Sequence, residues 1–348
     1  MQFLLIFVSC AISSFILTPV IRKIALSFNV LDHPNERKIH TKPTPLLGGL
    51  AVAIPFLIIF LAFKDSFTRS ADNLLLGSII ILIFGFLDDR FKLSARLRLA
   101  VQLLAAVLLI AGSLTIEIFP ITGWGIILRY VITIIWVVGI TNAMNYLDGM
   151  DGLCTGLGFI SSCFFAAIAY LTGQPIVLLL SLGLAGCCLG FLPHNLPTAK
   201  IFLGDTGSTF LGFMLAGISL LGVWAENNIV KISIPVLILG VPIFDMVFTT
   251  VMRIKEGKVH TIKEWLEYAG KDHFHHRLVD LGLRKKGTVV FIYLVGIVLG
   301  ISALVLLKST WKMAIVLIIQ AALVFAMVAV LMIVGAMRQS GWEKDKGN

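Results

Sequence analysis

Four short polar blocks hold most of the side chains in this sequence that could do chemistry. The first is Asp88-Asp89, which ends an apolar run in Gly85-Phe86-Leu87-Asp88-Asp89-Arg90. Two adjacent carboxylates can bind a cation or supply a base, and their mutual repulsion disfavours double ionisation unless a cation offsets it. A solvated helix end paired with Arg90 is the plainer alternative. The second block runs from Asn142 to Gly152, with Asn142, Asn145, Asp148 and Asp151 recurring every three residues. That spacing groups them on one face if the turn is helical. Carboxylate and amide oxygens suit a hard cation such as Mg²⁺, and the glycines permit close approach by a phosphate. Asx-rich turn chemistry would explain the same composition.

The third block, Ile201 to Ser208, contains Asp205-Thr206-Gly207, the aspartic-protease triplet. That chemistry needs two carboxylates sharing a proton, and the sequence has no second copy. A Gly- and Ser-rich helix start is also an anion site, and Asp205 could equally be an N-cap. The fourth block is Asp272-His273-Phe274-His275-His276-Arg277. Its histidines read as metal ligands or as phosphate donors. The usual fourth zinc ligand is missing from the spacing, and Arg277 favours phosphate because guanidinium binds it through two parallel hydrogen bonds. Asp245 stands apart, inside an apolar run near Pro242, where an ionisable group usually faces a bundle interior.

The elements that must position these blocks are apolar. The chain has 348 residues, is 58% hydrophobic and has a mean hydropathy of +0.98, which excludes an ordinary soluble domain. About eleven runs approach bilayer length: 3–21, 47–63, 72–87, 97–114, 126–143, 153–172, 175–193, 209–225, 230–252, 288–308 and 312–336. No basic residue precedes Phe3–Val20 and no small-residue cleavage pattern follows it, so it reads as a retained span. Cys10, Cys154, Cys163, Cys187 and Cys188 all fall in apolar runs, without disulfide or metal spacing.

The net charge of +9 is unevenly placed. One set of loops holds Arg22, Lys23, Arg37, Lys38, Lys42, Arg90, Lys92, Arg96, Arg98, Lys200, nine basic residues between Arg253 and Lys286, and the basic tail. The opposite loops hold only Lys64, Arg69, Lys231, Lys308 and Lys312. The positive-inside rule puts the rich side in the cytoplasm, with the amino terminus outside and the carboxyl terminus inside. The expectation is an all-α, polytopic, single integral membrane domain over 1–348. Its cytoplasmic loops are 22–46, 88–96, 144–152, 194–208 and 253–287, with a tail at 337–348. All four polar blocks then fall on the cytoplasmic side, as expected of an enzyme working at one interface on a lipid substrate. The charge marks topology and a membrane surface, with no nucleic-acid partner. A transporter would instead need polar groups near mid-membrane.

Taken in order, Asp32-His33-Pro34-Asn35-Glu36-Arg37-Lys38-Ile39-His40, Pro45, Gly48-Gly49, Asp88-Asp89, Arg98, Gln102, Asn142 to Gly152, Asn195, Pro197, Phe202 to Ser208 and His273 to Arg277 resemble one family over nearly the whole chain. It is the bacterial polyprenyl-phosphate N-acetylhexosamine-1-phosphate transferases. The first-loop signature resembles the branch that uses UDP-N-acetylglucosamine rather than UDP-MurNAc-pentapeptide. The resemblance implies transfer of N-acetylglucosamine-1-phosphate from UDP-N-acetylglucosamine to undecaprenyl (polyprenyl) phosphate, releasing UMP. This would initiate cell-surface glycan synthesis, as for teichoic acid or lipopolysaccharide, at the bacterial inner membrane.

The resemblance also implies roles. Asn145 and Asp205 would be ligands of Mg²⁺, with Mn²⁺ as a substitute. Asp88 would deprotonate or orient the lipid phosphate, with Asp89 beside it. Arg98 would meet phosphate, Asp148 and Asp151 the sugar and uridine, and Lys42 the uridine pocket. His273, His275, His276 and Arg277 would contact pyrophosphate and sugar. Direct attack by the lipid phosphate on the β-phosphorus is expected, with a covalent phosphosugar on an Asp as the other route. A homodimer is compatible with this picture. Two segments depart from the family: Gly270-Lys271-Asp272 stands where Pro-Asp-Arg is common, and Val259-His260-Thr261 where Ser-Pro is. Both lie in the loop implied to select the sugar. A lipid-linked sugar transporter is the rival of another class.

Overall fold

The computed structural model describes residues 1–32, 43–64, 67–261, 264–265, 268, 270 and 272–346, with 335–346 described by backbone alone. The described residues are helical almost throughout. The helices are α1 (Gln2–Ser27), α2 (Gly48–Ala62), α3 (Arg69–Phe91), α4 (Ala95–Ala111), α5 (Trp124–Tyr146), α6 (Leu153–Leu171) and α7 (Pro175–Asn195). They continue with α8 (Gly204–Leu221), α9 (Asn228–Ile238), α10 (Gly240–Lys255), α11 (Phe274–Asp280), α12 (Lys285–Leu306) and α13 (Trp311–Lys346). The only sheet among the described residues pairs β1 (Leu31–Asp32) with β2 (Thr44–Pro45).

Each expected apolar run coincides with a helix or a helix pair, because a run without water partners must satisfy its backbone internally. Among the described residues seven helices (α1, α3, α5, α6, α7, α12 and α13) are long and apolar enough to cross a membrane, or eight spans if α9 and α10 count as one. The other three runs give shorter or more polar helices. α2 has 15 residues, a rise of roughly 22 Å against a hydrocarbon core of about 30 Å. α4 begins with Arg96 and Arg98, and α8 with Gly204-Asp205-Thr206-Gly207-Ser208.

The run at 230–252, expected as one continuous span, is two helices meeting at 79°. Pro242 lacks the N–H that would bond the Ile238 carbonyl in a continuous helix. Ser161 Oγ, from α6, donates to that carbonyl instead at 3.3 Å. The bend sends α10 away from the axis of α9 and towards the fourth polar block.

α8 is the axis of the bundle. It packs against α2, α3, α5 and α6, and Phe210 through Ser219 are all buried. Small residues let its neighbours come close. A Cβ on Gly49 would lie 2.1 Å from the Gly207 nitrogen, and one on Gly85 would lie 2.8 Å from the Thr206 Cα. The polar first turn of α8 is thereby pressed between α2 and the last turn of α3.

Candidate active site at one end of the bundle

Three of the four polar blocks meet where α3 and α5 end and α8 begins. Asp89, in the last turn of α3, accepts hydrogen bonds from the backbone N–H groups of Asp205 (2.8 Å) and Thr206 (3.0 Å). It also accepts one from the Thr206 hydroxyl. Both its oxygens therefore serve the unsatisfied N–H groups of the first turn of α8, as an N-cap does although it comes from another helix. Gly204 has φ +74°, and a Cβ there would lie 2.6 Å from Asp89 Oδ2, so glycine is required on both counts. The Gly204 N–H donates to Asp148 Oδ2 at 3.1 Å.

Asn145, in the last turn of α5, donates to Asp205 Oδ1 at 2.5 Å and to Ser208 Oγ at 2.9 Å. The amide and the carboxylate expected to share an ion are thus in direct contact, although about sixty residues apart in sequence. Asp88, one residue before Asp89, is buried and turned towards α4. Its Oδ1 accepts from the Leu93 N–H at 2.8 Å and its Oδ2 from Arg98 Nη1 at 3.2 Å. Arg98 is itself exposed. Gln102 and Asn142 exchange amide hydrogen bonds at 3.2 and 2.7 Å, fixing α4 to α5 behind this pair.

Asp151 stands one turn further on. Its Oδ2 accepts from the Ala199 N–H at 3.1 Å and holds the α7–α8 loop. Buried Asn195 ties the same loop to the start of α6. It accepts from Gly152 N–H (3.2 Å) and Thr155 Oγ1 (2.9 Å) and donates to the Ile201 carbonyl (3.2 Å).

The histidine block docks against the same end. A Cβ on Gly149 would lie 2.6 Å from His275 Nε2 and 3.7 Å from His276 Nε2, so the histidines lie directly over the Asp148-Gly149 turn. His273 packs its ring 4.8 Å from that of Tyr146. His275 is fully buried, and neither ring nitrogen has a hydrogen-bond partner among the described residues. Burial, and then the charge on His276, pushes its pKa down to about 3, so it is a neutral imidazole at physiological pH. Such an orphaned buried group is expected to meet a ligand or water. Arg277 donates from Nε to the Asp272 carbonyl at 2.9 Å and from Nη2 to Glu256 at 3.2 Å. Burial pushes the Glu256 carboxyl up, but hydrogen bonds from Lys258 and Arg277 outweigh it and hold the group below the usual range.

Asp88, Asp89, Arg98, Asn145, Asp148, Asp151, Asp205, His273, His275, His276 and Arg277 are all placed at this one end. Lys42 and most of the Asp32–His40 signature lie outside the described residues. Sequence reasoning missed Thr206 and Ser208 as partners of Asp89 and Asn145, and it missed Arg253, counted only as one basic residue among nine. The last had a readable signal: Asp245, Thr249 and Arg253 recur every four residues, as one face of a helix does.

The oxygens fit a hard divalent cation. Among the described residues, no three His, Cys, Asp or Glu side chains are placed to hold an ion by themselves. A Mg²⁺ site, however, commonly uses one or two protein oxygens and leaves the rest to water and substrate phosphates. Asp205 and Asn145 offer that set. Among the described residues no hydrogen bond falls on Asp205 Oδ2, while Asn145 is held against Oδ1. Asp88, Asp89 and Asp148 surround the pair with carboxylates, and among the described residues Arg98 is the basic side chain in direct contact with one of them.

The chain matches the model of "Glycosyl transferase family 4" over residues 73–223, which covers α3 to α8 and the three blocks that converge. It is 38% identical over 312 residues to the Bacillus subtilis protein named "Probable undecaprenyl-phosphate N-acetylglucosaminyl 1-phosphate transferase", spanning 87% of this chain and 85% of that one. Similarity extends to the Thermotoga maritima "Undecaprenyl-phosphate alpha-N-acetylglucosaminyl 1-phosphate transferase", with 35% identity over 82% of this chain and 92% of that one. It extends also to the Mycobacterium tuberculosis "Decaprenyl-phosphate N-acetylglucosaminephosphotransferase", with 32% identity over 84% and 80% of the two chains.

Proposed function

From a chain that belongs to glycosyl transferase family 4, within its polyprenyl-phosphate N-acetylglucosamine-1-phosphate transferases, we propose an enzyme that moves N-acetylglucosamine-1-phosphate from UDP-N-acetylglucosamine to a polyprenyl phosphate and releases UMP. The observation that carries this reading is the contact between Asn145 and Asp205, set among Asp88, Asp89 and Asp148 and roofed by His275 and His276. Acidic oxygens beside neutral imidazole and guanidinium are what a diphosphate and a hard cation together require.

Mg²⁺, when bound, would neutralise phosphate charge and stabilise the leaving UMP. Asp205 and Asn145 would hold it. Asp88 would orient or deprotonate the lipid phosphate, with Arg98 guiding that anion to it; the 3.2 Å contact between them supports a shared task. Asp89 fixes the turn that carries Asp205. Asp148 and Asp151 would meet sugar and uridine, and His275, His276 and Arg277 the pyrophosphate and sugar. The lipid phosphate would attack the β-phosphorus directly. No second carboxylate is needed to carry a phosphosugar under this reading, and trapping of a labelled phosphosugar-enzyme would defeat it.

The basic loops argue that this end faces the cytoplasm of a multi-pass inner-membrane protein, with α2, α4 and α8 completing about eleven membrane segments. UMP release, measured across a panel of UDP-sugars with and without polyprenyl phosphate, tests the reading. Release is expected only with an N-acetylglucosamine donor, lipid acceptor and Mg²⁺ together. A preference for the muramoyl-pentapeptide donor, or lipid movement across vesicles without UMP, would replace it.

A further inference from the structure

The bend at Leu239 gives α10 a task of its own. Its polar stripe, Asp245, Thr249 and Arg253, is buried to between 0 and 2% exposure, which is costly unless each charge is paired or hydrogen-bonded. Arg253 is paired with Asp272, and both oxygens of Asp245 are met by N–H donors. Arg253 donates from Nε to Asp272 Oδ2 and from Nη2 to Asp272 Oδ1, both at 2.8 Å. Nη2 also lies 3.2 Å from His273 Nε2. His273 Nδ1 lies 3.0 Å from Asp245 Oδ2, and the Phe274 N–H donates to Asp245 Oδ1 at 2.5 Å. The guanidinium carbon lies 4.7 Å from the centre of the Tyr268 ring.

These contacts fix a proton. An arginine N–H can only donate, so His273 Nε2 accepts, and the ring proton sits on Nδ1, aimed at Asp245. A ring protonated on Nε2 would set two donors against each other in a buried place. His273 therefore has both nitrogens engaged within the protein, unlike His275, whose nitrogens have no partner among the described residues.

We infer that Asp245, Arg253 and Asp272 form a positioning network that locks His273 as its Nδ1–H tautomer, making it the anchor of the donor-binding loop rather than a ligand of the donor. The anchor orients the two residues that follow Phe274: His275 and His276 stand over Gly149 because His273 is held between α10 and Tyr146. The inference rests on the proposed function for the identity of the donor, but not for the tautomer.

Asp245→Asn is the diagnostic variant. It keeps size and shape and can still accept from the Phe274 N–H, but its amide nitrogen then faces the His273 Nδ1 proton. The proton must move to Nε2, where it meets Arg253. Arg253→Lys is the second variant, because an ammonium cannot reach both Asp272 oxygens and the imidazole in one plane. The experiment is ¹⁵N-histidine NMR of the full chain in detergent micelles, with His273 assigned by difference from His273→Gln, alongside steady-state kinetics. The wild type is expected to show Nδ1–H for His273, and Asp245→Asn to lose it. In both variants kcat/KM for the UDP-sugar should fall by about tenfold or more, while kcat/KM for the lipid phosphate at saturating donor changes by less than about threefold. General damage to the fold would lower both together, and would overturn the inference. So would an Nε2–H or doubly protonated His273 in the wild type, or an unchanged donor kcat/KM. Absence of UMP release by the wild type with any donor would overturn the functional reading instead.

Discussion

Replacing Asp89 by Asn separates the two carboxylates that end α3. Asp89 accepts from two backbone N–H groups and one hydroxyl at the start of α8. An amide keeps one acceptor and turns a donor towards the second N–H. One buried N–H left unpaired costs about 1–3 kcal/mol, and losing the negative charge beside the helix N-terminus costs about 0.3–1 kcal/mol more. The sum is about 1–4 kcal/mol, in which each 1.4 kcal/mol is roughly tenfold. Because the two N–H groups belong to Asp205 and its neighbour, the loss should appear as displacement of Asp205. Asp89→Asn should therefore lower the thermal unfolding midpoint in detergent and raise the Mg²⁺ concentration for half-maximal UMP release by about tenfold or more. Asp88→Asn, whose contacts run to Leu93 and Arg98, should lower kcat without moving the Mg²⁺ requirement. An Asp89→Asn enzyme with unchanged midpoint and unchanged Mg²⁺ requirement, but a collapsed kcat, would refute the reasoning and make Asp89 a group that acts on substrate.

Other outcomes follow from the same geometry. Asn145→Ala and Asp205→Ala should abolish Mg²⁺-dependent turnover; normal UMP release by both would remove the metal assignment. Gly49→Ala should prevent accumulation of folded protein, measured by size-exclusion chromatography, because its Cβ would lie 2.1 Å from a backbone nitrogen that cannot rotate away. His275 titrates near its ordinary value of about 6.5 when unfolded and at about 3 when folded. Between those values the unfolded state binds more protons, so this stability is complete above about pH 6.5 and is lost progressively as pH falls towards 3. The unfolding midpoint of the wild type should drop from pH 7.5 to pH 5 more steeply than that of His275→Gln, and equal slopes would contradict the buried neutral ring.

Much of this molecule was legible in order and little of it in contact. Apolar length marked every helix but the short α11 in the fourth polar block, because hydrocarbon leaves backbone groups no partners but their own. It did not separate helices that span by themselves from α2, α4 and α8, whose short length or polar first turns become visible only once their ends are set. The bend at Leu239 was hidden because a proline does not by itself mark a break, as Pro19, Pro55 and Pro235 lie inside continuous helices, and because Ser161, which takes up the freed carbonyl, lies some eighty residues away. Asn145 and Asp205 were legible as oxygen donors from their types and surroundings. Their contact, and the capture of the α8 N-terminus by Asp89, depend on how close Gly49, Gly85 and Gly207 let three helices come. Asp245 had no evident partner in the sequence, because His273 and Phe274 lie nearly thirty residues on, within the longest loop. His273 looked like its neighbours, and only the direction of the Arg253 fork sets it apart.

The most direct measurement of the central claim follows one phosphorus atom. UDP-N-acetylglucosamine carrying ³²P at the β-position is incubated with the enzyme, Mg²⁺ and polyprenyl phosphate, and the lipid and aqueous phases are counted separately. Transfer of the phosphosugar puts the label in the lipid phase, with UMP formed in equal amount. Label left in water as UDP, with the sugar alone on the lipid, would contradict the account.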